Sequence, residues 1–354
     1  MKIIHVIANM EIGGAQRLLA DLLPIQSEKY EVALLMMKPV TNRFTNQLKE
    51  AGVKLLTINA RHYYSPFNVF SLLKETEGYD IVHVHLTPAM YGMALVSMFR
   101  KRRMLLTEHS TNGRIRGHSI MRGVERWIYG RYDSVISISE QTQTALKKWL
   151  RKEVCNFTVI PNGINIEKFR GGSHSDKDKL IMVSRFAQSK DQDTVIRAIP
   201  YLKDSIKVVF VGEGERLEPC KMLAEKLGVS ERIEFLGAQD DVPTLLREAY
   251  IGIQSSRWEG FGLSAVEMMA SGMPVVASDV DGLKQVVEGA GLLFKAGDER
   301  DLADKIEILL NDKFYYKKVS EACVQKAMTY SIQKMEEDYA KYYKEMMYDK
   351  TENS

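Results

Sequence analysis

Two doubly wound α/β domains are what this sequence predicts, and three observations carry the prediction. Short apolar strands alternate with amphipathic helices along the chain, the pattern of parallel sheets covered on both faces. The alternation runs twice, interrupted at Asn162 to Asp178 (NGINIEKFRGGSHSDKD), a turn-rich, charged linker. The length of 354 residues, with 45% hydrophobic and 27% charged content, suits two globular domains of ordinary size. A first domain over residues 1–165 and a second over 166–330 are therefore expected.

In chain order, the first half opens with a strand over Ile3 to Ala8, which His5 and Asn9 distinguish from a signal peptide. A helix from Gly14, the strand Glu31 to Met36, a helix near Arg43 to Ala51 and the strand Val53 to Ile58 follow. After Pro66 come a helix to Glu77, the strand Ile81 to His85, a helix near Ala89 to Phe99 and the strand Met104 to Thr107. A helix at Ile120 to Gly130, the strand Ser134 to Ile138, another helix and the strand Thr158 to Ile160 complete this half. The second half repeats the scheme: Leu180 to Ser184, a helix from Asp193, Lys207 to Val211, a helix to Gly228, then Ile233 to Leu236. The tail, Ser331 to Met347, carries Ile332, Met335, Tyr339, Tyr342 and Met346 at helical spacing, so its apolar face must dock. Facing strand ends of two such sheets would form an interdomain cleft.

The most informative stretch is Gln254 to Phe294. The apolar strand that ends at Ile253 leads into the loop Glu259-Gly260-Phe261-Gly262. A helix from about Ser264 to Ser271 follows, stopped by Gly272 and Pro274, and then the strand Pro274 to Ala277. The N–H groups at such a helix start attract phosphate. Two carboxylates, Glu259 and Glu267, flank it. Two readings compete for Glu267. Ser264-Ala265-Val266-Glu267 fits a capping box, in which serine caps and glutamate bonds back. Alternatively, both glutamates accept hydroxyls of a sugar-like ligand whose phosphates rest on the Phe261-Gly262-Leu263 amides. Capping does not account for Glu259 or for the glycines around Phe261.

The context EGFGLSAVE, followed by ASGMPVVAS, resembles the donor-site signature of retaining GT-B glycosyltransferases of family 4. The resemblance implies a GT-B fold, with two Rossmann-like domains and the active site in the cleft between them. It implies that Glu259 touches the transferred sugar and Glu267 holds the ribose diol. Val183-Ser184-Arg185-Phe186 and Lys190-Asp191 are similar to the family segment whose arginine and lysine grip the donor diphosphate. Fixed cations there stabilise the leaving diphosphate most in the transition state. Gly13-Gly14-Ala15-Gln16 matches the glycine loop against phosphate and acceptor, where a tight turn is the alternative reading. His109, in TEHS, matches a histidine placed against the donor sugar.

Val211-Gly212-Glu213-Gly214-Glu215-Arg216-Leu217 comes close to the dinucleotide fingerprint, but leucine stands where the third glycine belongs. By resemblance this is the second domain's glycine turn bordering the donor, with Leu236 beside the nucleobase. His83 and His85 share one strand face as two metal ligands could, without an evident third. The resemblance implies no metal and no cofactor, since Arg185, Lys190 and helix amides take the charge. The Asp279-Val280-Asp281 run lies beyond the helix and the strand after it. The last helix (331–354) is expected to cross back onto the first domain, as is common in the family.

The implied activity is transfer of a sugar from a nucleotide sugar, expected to be a UDP-sugar, to a glycan or lipid-linked acceptor in cell-surface polysaccharide or glycoconjugate synthesis. A nucleotide-sugar 2-epimerase of similar fold would act without an acceptor, which product analysis separates. A non-catalytic nucleotide-binding assembly protein would bind donors without turnover. Retention of Arg185, Lys190, Glu259 and Glu267 together opposes that reading.

Net charge is +3 but asymmetric: Met1 to Arg170 holds 24 Lys and Arg against 14 Asp and Glu, the remainder 25 against 32. A basic first half suggests an anionic partner. Arg100 to Arg131 holds nine basic residues, Arg114 and Arg116 among them, against Glu108 and Glu125. With Ile120, Val124, Trp127 and Ile128 on one helix face and Arg122 and Arg126 on the other, this region is expected to meet an anionic membrane surface reversibly. No nucleic-acid partner is implied. Three scattered cysteines (Cys155, Cys220, Cys323) indicate neither a disulfide framework nor a zinc site, and fit a reducing, cytoplasmic compartment.

Overall fold

The computed structural model describes residues 1–11, 13–109, 119–172, 174 and 176–348. The chain divides into two compact units, Met1–Gly163 with Ile332–Ser354, and Ile164–Ser331.

The first unit runs β1 (Lys2–Ile7), α1 (Gly14–Ser27), β2 (Glu31–Met36), α2 (Arg43–Glu50), β3 (Lys54–Thr57), α3 (Asn68–Glu75), β4 (Ile81–His85) and α4 (Ala89–Val96). It continues with β5 (Arg103–Glu108), α5 (Ser119–Tyr129), β6 (Ser134–Ser137), α6 (Glu140–Leu150) and β7 (Asn156–Val159). Its seven strands are parallel in the order β3-β2-β1-β4-β5-β6-β7. The strands read as near-continuous apolar runs because both faces are buried: β1 keeps Ile3, Ile4, Val6 and Ile7 wholly inside. Strand order reverses between β1 and β4, so their carboxyl ends open a crevice there.

The second unit runs α7 (Ile166–Phe169), β8 (Lys179–Val183), α8 (Gln192–Ala198), β9 (Lys207–Val211), α9 (Leu217–Lys226), β10 (Ile233–Phe235) and α10 (Val242–Glu248). After these come β11 (Ile251–Gln254), α11 (Leu263–Ser271), β12 (Val275–Ser278), α12 (Asp281–Val287), β13 (Leu292–Phe294), α13 (Glu299–Asn311) and α14 (Lys313–Met328). Six parallel strands lie in the order β10-β9-β8-β11-β12-β13, reversing between β8 and β11.

The last helix, α15 (Ile332–Tyr348), belongs to the first unit. Ile332, Met335, Tyr339 and Tyr343 pack with Ile3, Leu18, Ile81, Leu105 and Ile136 across one face of the sheet. Tyr342 and Met346 are only partly buried, so Tyr343 extends the inner face that the sequence pattern had assigned to Tyr342.

Of the described basic stretch, Arg100, Lys101 and Arg131 are exposed, whereas Arg102, Arg103, Arg122 and Arg126 are half-buried. Arg102 donates to the Thr76 and Leu73 carbonyls, and Arg103 to Met347. On α5, Arg126 donates to the Leu150 carbonyl and Arg122 lies 4.9 Å over the Trp149 ring. Ile128 and Glu125 are buried, whereas Val124 and Trp127 are exposed. Thus the helix turns Glu125 and Ile128 inward, because Trp149 Nε1 donates to the Glu125 carboxylate from the neighbouring α6. Arg114 and Arg116 lie outside the described residues.

Candidate functional site

In the second unit the loops at the carboxyl ends of four strands interlock at the point where strand order reverses. The loop after β8 is tied to the loop after β9: Ser184 N–H donates to Val211 and Phe186 N–H to Glu213. This approach requires glycine twice. Gly212 has φ +138° and a Cβ there would stand 2.1 Å from the Ser184 carbonyl oxygen. Gly214 has φ +149°, with the Phe186 carbonyl oxygen 2.2 Å from an added Cβ. The glycines of the near-fingerprint therefore serve contact between loops. The loop after β10 joins through Gly212 N–H donating to the Gly237 carbonyl. Leu236 precedes that contact, half-buried.

A consequence is testable. Gly214→Ala is expected to lower stability by about 2–4 kcal/mol, because backbone must move to admit the methyl group. Gly289→Ala, also left-handed at φ +81° but with nothing within 4 Å, should lose only about 1 kcal/mol. Thermal melts of the two variants check this, and equal shifts would contradict the loop-contact account.

The loop after β11 is stitched to the loop after β8. Ser255 Oγ donates to the carbonyls of Lys190 and Asp191, both at 2.9 Å, and Arg257 N–H donates to Ser189 at 2.8 Å. Asp191 takes a left-handed conformation (φ +51°), which short polar side chains tolerate. Its buried carboxylate accepts from Thr194 Oγ1 and the Arg257 guanidinium. These contacts fix the Lys190 backbone and deliver its ammonium onto the Glu259 carboxylate, an ion pair of two partly buried groups. Glu259 also accepts from Ser256 Oγ at 3.3 Å. Arg185 lies five residues before Lys190 and is exposed; its guanidinium has no ion-pair partner among the described residues. The site thus presents one paired and one unpaired cation.

Helix α11 begins at Leu263, with Gly262 as its N-cap in a left-handed conformation (φ +92°) and no side-chain cap. This corrects the capping-box alternative: Ser264 is inside the helix, and Glu267 sits two positions beyond the one a capping glutamate takes. Glu267 is nevertheless 4% exposed, a buried carboxylate one turn into the helix. The Phe261 ring is buried edge-on against Tyr330 at 5.3 Å, so the loop contributes backbone rather than this ring. Gly262 and Gly282 make room for α12: a Cβ on Gly282 would lie 2.3 Å from the Glu259 carbonyl. The first turn of α11 thereby leaves amide donors uncapped at a strand crossing point, a setting for phosphate. Arg185, Lys190, Glu259, Gly212, Leu236, Phe261, Gly262, Leu263 and Glu267 all lie on these strand-end loops or in the first turns after them.

In the first unit, Gly13 is the extended N-cap of α1 and Gly14 its first residue, again with no side-chain cap and no acid in the first turn. His109 follows β5, half-buried, with Nε2 3.5 Å from His85 Nδ1. Beneath it is a third imidazole that the sequence pattern did not reveal. His5 on β1 stands in register with His83 on β4, and His5, His83 and His85 bring ring nitrogens within 4.8 Å of one another. Their hydrogen bonds are met locally: His5 to Gln26 and His85 at 2.9 Å each, His83 to Tyr343 at 2.6 Å and to Thr107 at 2.7 Å. Burial lowers all four histidines, His5 to about 3 and His109 to about 4. Neutral imidazoles hydrogen-bonded in this way form a polar core between β1, β4 and α15. Only strand order, which puts β1 beside β4, could have disclosed it.

The chain resembles known proteins in both units. Residues 164–328 match the family described as Glycosyl transferases group 1, and residues 12–168 match Glycosyltransferase Family 4. A relative from Methanocaldococcus jannaschii, "Uncharacterized glycosyltransferase MJ1178", is 28% identical over 77% of this chain and 77% of its own length. The Escherichia coli "UDP-Gal:alpha-D-GlcNAc-diphosphoundecaprenol alpha-1,3-galactosyltransferase" is 24% identical over 88% of this chain and 89% of its own. Among solved structures, Anabaena Alr3699/HepE in complex with UDP and glucose superimposes with a TM-score of 0.86 at 20% identity. That likeness covers 98% of this chain and 100% of the other, and shows the GT-B fold.

Proposed function

The chain belongs to the group 1, family 4 glycosyltransferases of GT-B fold, and from that premise we propose that it transfers a sugar from a UDP-sugar with retention of anomeric configuration. The observation that supports this reading is the Lys190–Glu259 ion pair at the β8–β11 crossing, with Arg185 in the loop after β8 and Glu267 buried in α11 after β11. The UDP-sugar assignment draws support from the UDP named for the Escherichia coli relative and for the Anabaena structure. A lipid-linked or glycan acceptor follows the diphosphoundecaprenol in the relative's name, and a role in cell-surface polysaccharide synthesis extends that reading.

In the proposed reaction the acceptor hydroxyl oxygen bonds to the anomeric carbon as the bond from that carbon to the β-phosphate oxygen breaks. Displacement occurs on one face through an oxocarbenium-like state. The hydroxyl proton passes to the departing phosphate oxygen, and UDP leaves. Negative charge grows on the diphosphate, where Arg185, Lys190 and the amides at the start of α11 stabilise it without a metal. Glu259 accepts hydroxyls of the transferred sugar, Glu267 the ribose diol, and Leu236 borders the base. On the first unit, the Gly14 loop and His109 are assigned to the phosphate and the sugar.

Lys190 and Glu259 pair with each other, and this sharpens the test. Glu267→Ala should weaken binding of UDP alone by roughly 10–100-fold, the value of hydrogen bonds to a charged acceptor. Glu259→Ala should bind UDP at least as tightly as wild type, because Lys190 is released to the diphosphate, yet transfer poorly. Calorimetry with UDP and a turnover assay decide. Equal losses of UDP affinity in both variants would remove the assignment.

A further inference from the structure

The first unit carries an exposed aromatic edge that the donor chemistry does not use. Phe67, at the start of α3, is 77% exposed and Phe70 66%; beyond the end of α4, Met98 is 58% and Phe99 66% exposed. The edge is continuous: Phe67 and Phe70 lie three apart on one helix face, and the Phe70 and Phe99 rings are 6.5 Å apart. Large apolar side chains clustered in water mark a surface that meets something else.

The charge around this edge identifies the partner. Arg61, Lys74, Arg100 and Lys101 are exposed on these two segments, outnumbering the half-buried Glu75 and exposed Glu77 that follow Lys74. Lys74 stands one turn beyond Phe70 on the same helix face, while Lys101 follows Phe99 by two residues. Of these cations Arg100 has a partner, Glu77. A second copy of the chain fits poorly, because an isologous contact would press this positive edge against itself. A surface that accepts aromatic rings and carries negative charge is complementary on both counts, and an anionic bilayer interface offers both.

We propose that the α3–α4 edge of the first unit docks on anionic lipid bilayers, with Phe67, Phe70 and Phe99 entering the headgroup region and Arg61, Lys74 and Lys101 facing lipid phosphates. The attachment is peripheral, and it is made by this edge and not by Arg102, Arg103, Arg122 and Arg126, which pack against other elements of the unit. It goes beyond the donor-site reading and does not depend on it.

Cosedimentation of the full chain with vesicles tests the proposal. Binding to phosphatidylglycerol–phosphatidylcholine vesicles should exceed binding to phosphatidylcholine alone by at least about tenfold and weaken as salt shortens the screening length. The triple variant Phe67→Ser, Phe70→Ser, Phe99→Ser should bind at least about tenfold more weakly with an unchanged melting temperature, since these rings are already in water. Replacing Arg61, Lys74 and Lys101 by glutamine should give a similar loss. Wild-type-like binding by either variant, equal binding to neutral vesicles, or no binding at all would overturn the proposal. So would concentration-dependent self-association that the serine variant alone abolishes, which would assign the edge to a second copy. UDP calorimetry on the same variants keeps this outcome separate from the donor site.

Discussion

Replacing Lys190 or Arg185 by alanine is expected to lower kcat by about 10²–10³, the effect of removing one fixed donor from a developing anion. The two positions predict different side effects, which makes the result diagnostic. Arg185 is exposed and has no ion-pair partner among the described residues, so Arg185→Ala should leave the melting temperature unchanged. Lys190→Ala leaves the Glu259 carboxylate with Ser256 Oγ and without its ammonium. A loss of about 1 kcal/mol is expected there, since both groups retain some solvent. Ser255 and Arg257 hold the Lys190 backbone through carbonyls and amides that the substitution leaves intact, so the loop itself should persist. Turnover and melting temperature measured on both variants decide. Near-normal turnover in both would remove the proposed diphosphate grip. Activity that fell only in step with stability would give the two cations a structural role.

The parallel-strand alternation was legible because the central strands are apolar on both faces and helices such as α2 and α15 are amphipathic. The start of α11 was less so. Ser264 and Glu267 satisfy a capping box locally, yet Gly262 in the left-handed region lets the helix begin at Leu263. Only backbone geometry separates the two. The arginines of Arg100 to Arg131 read as a solvated positive face, and the carbonyls of Leu73 and Thr76 for Arg102, Met347 for Arg103 and Leu150 for Arg126 lie on other elements. His5 escaped for the same reason. Its hydrogen-bond partners, His85 on β4 and Gln26 on α1, are 80 and 21 residues away in the chain, and nothing local at His5 signals them. The unread helices α10 and α12 are short and α14 is mixed in character, whereas α13 carries a readable helical period in Leu302, Ile306 and Leu309.

Acid should therefore unfold the first unit well before general carboxylate protonation does. His5 is fully buried and burial lowers it to about 3, against an ordinary value near 6.5 in the unfolded chain. A histidine lowered in the folded state binds more protons when unfolded, so its contribution to stability is complete above about pH 6.5 and lost as pH falls toward 3. At pH 5 His5 alone should have forfeited about 2 kcal/mol relative to pH 8. His83 and His85, fully buried beside it, are lowered in the same direction by burial and then by neighbouring histidines, and add losses of the same sign as pH falls below 6.5. Half-buried His109, lowered to about 4, adds less because water reaches it. Against domain stabilities of about 5–15 kcal/mol, the combined loss should be the largest pH effect in the molecule. Denaturant titrations at pH 8, 6.5 and 5 would read it as a steep fall in stability below pH 6.5. His5→Gln, which keeps an acceptor and a donor but cannot take a proton, should be less stable at pH 8 yet show a shallower slope. A stability that stays level from pH 8 to pH 5 would mean that the imidazoles are not held neutral together, and that water or an ion reaches the polar core between β1, β4 and α15.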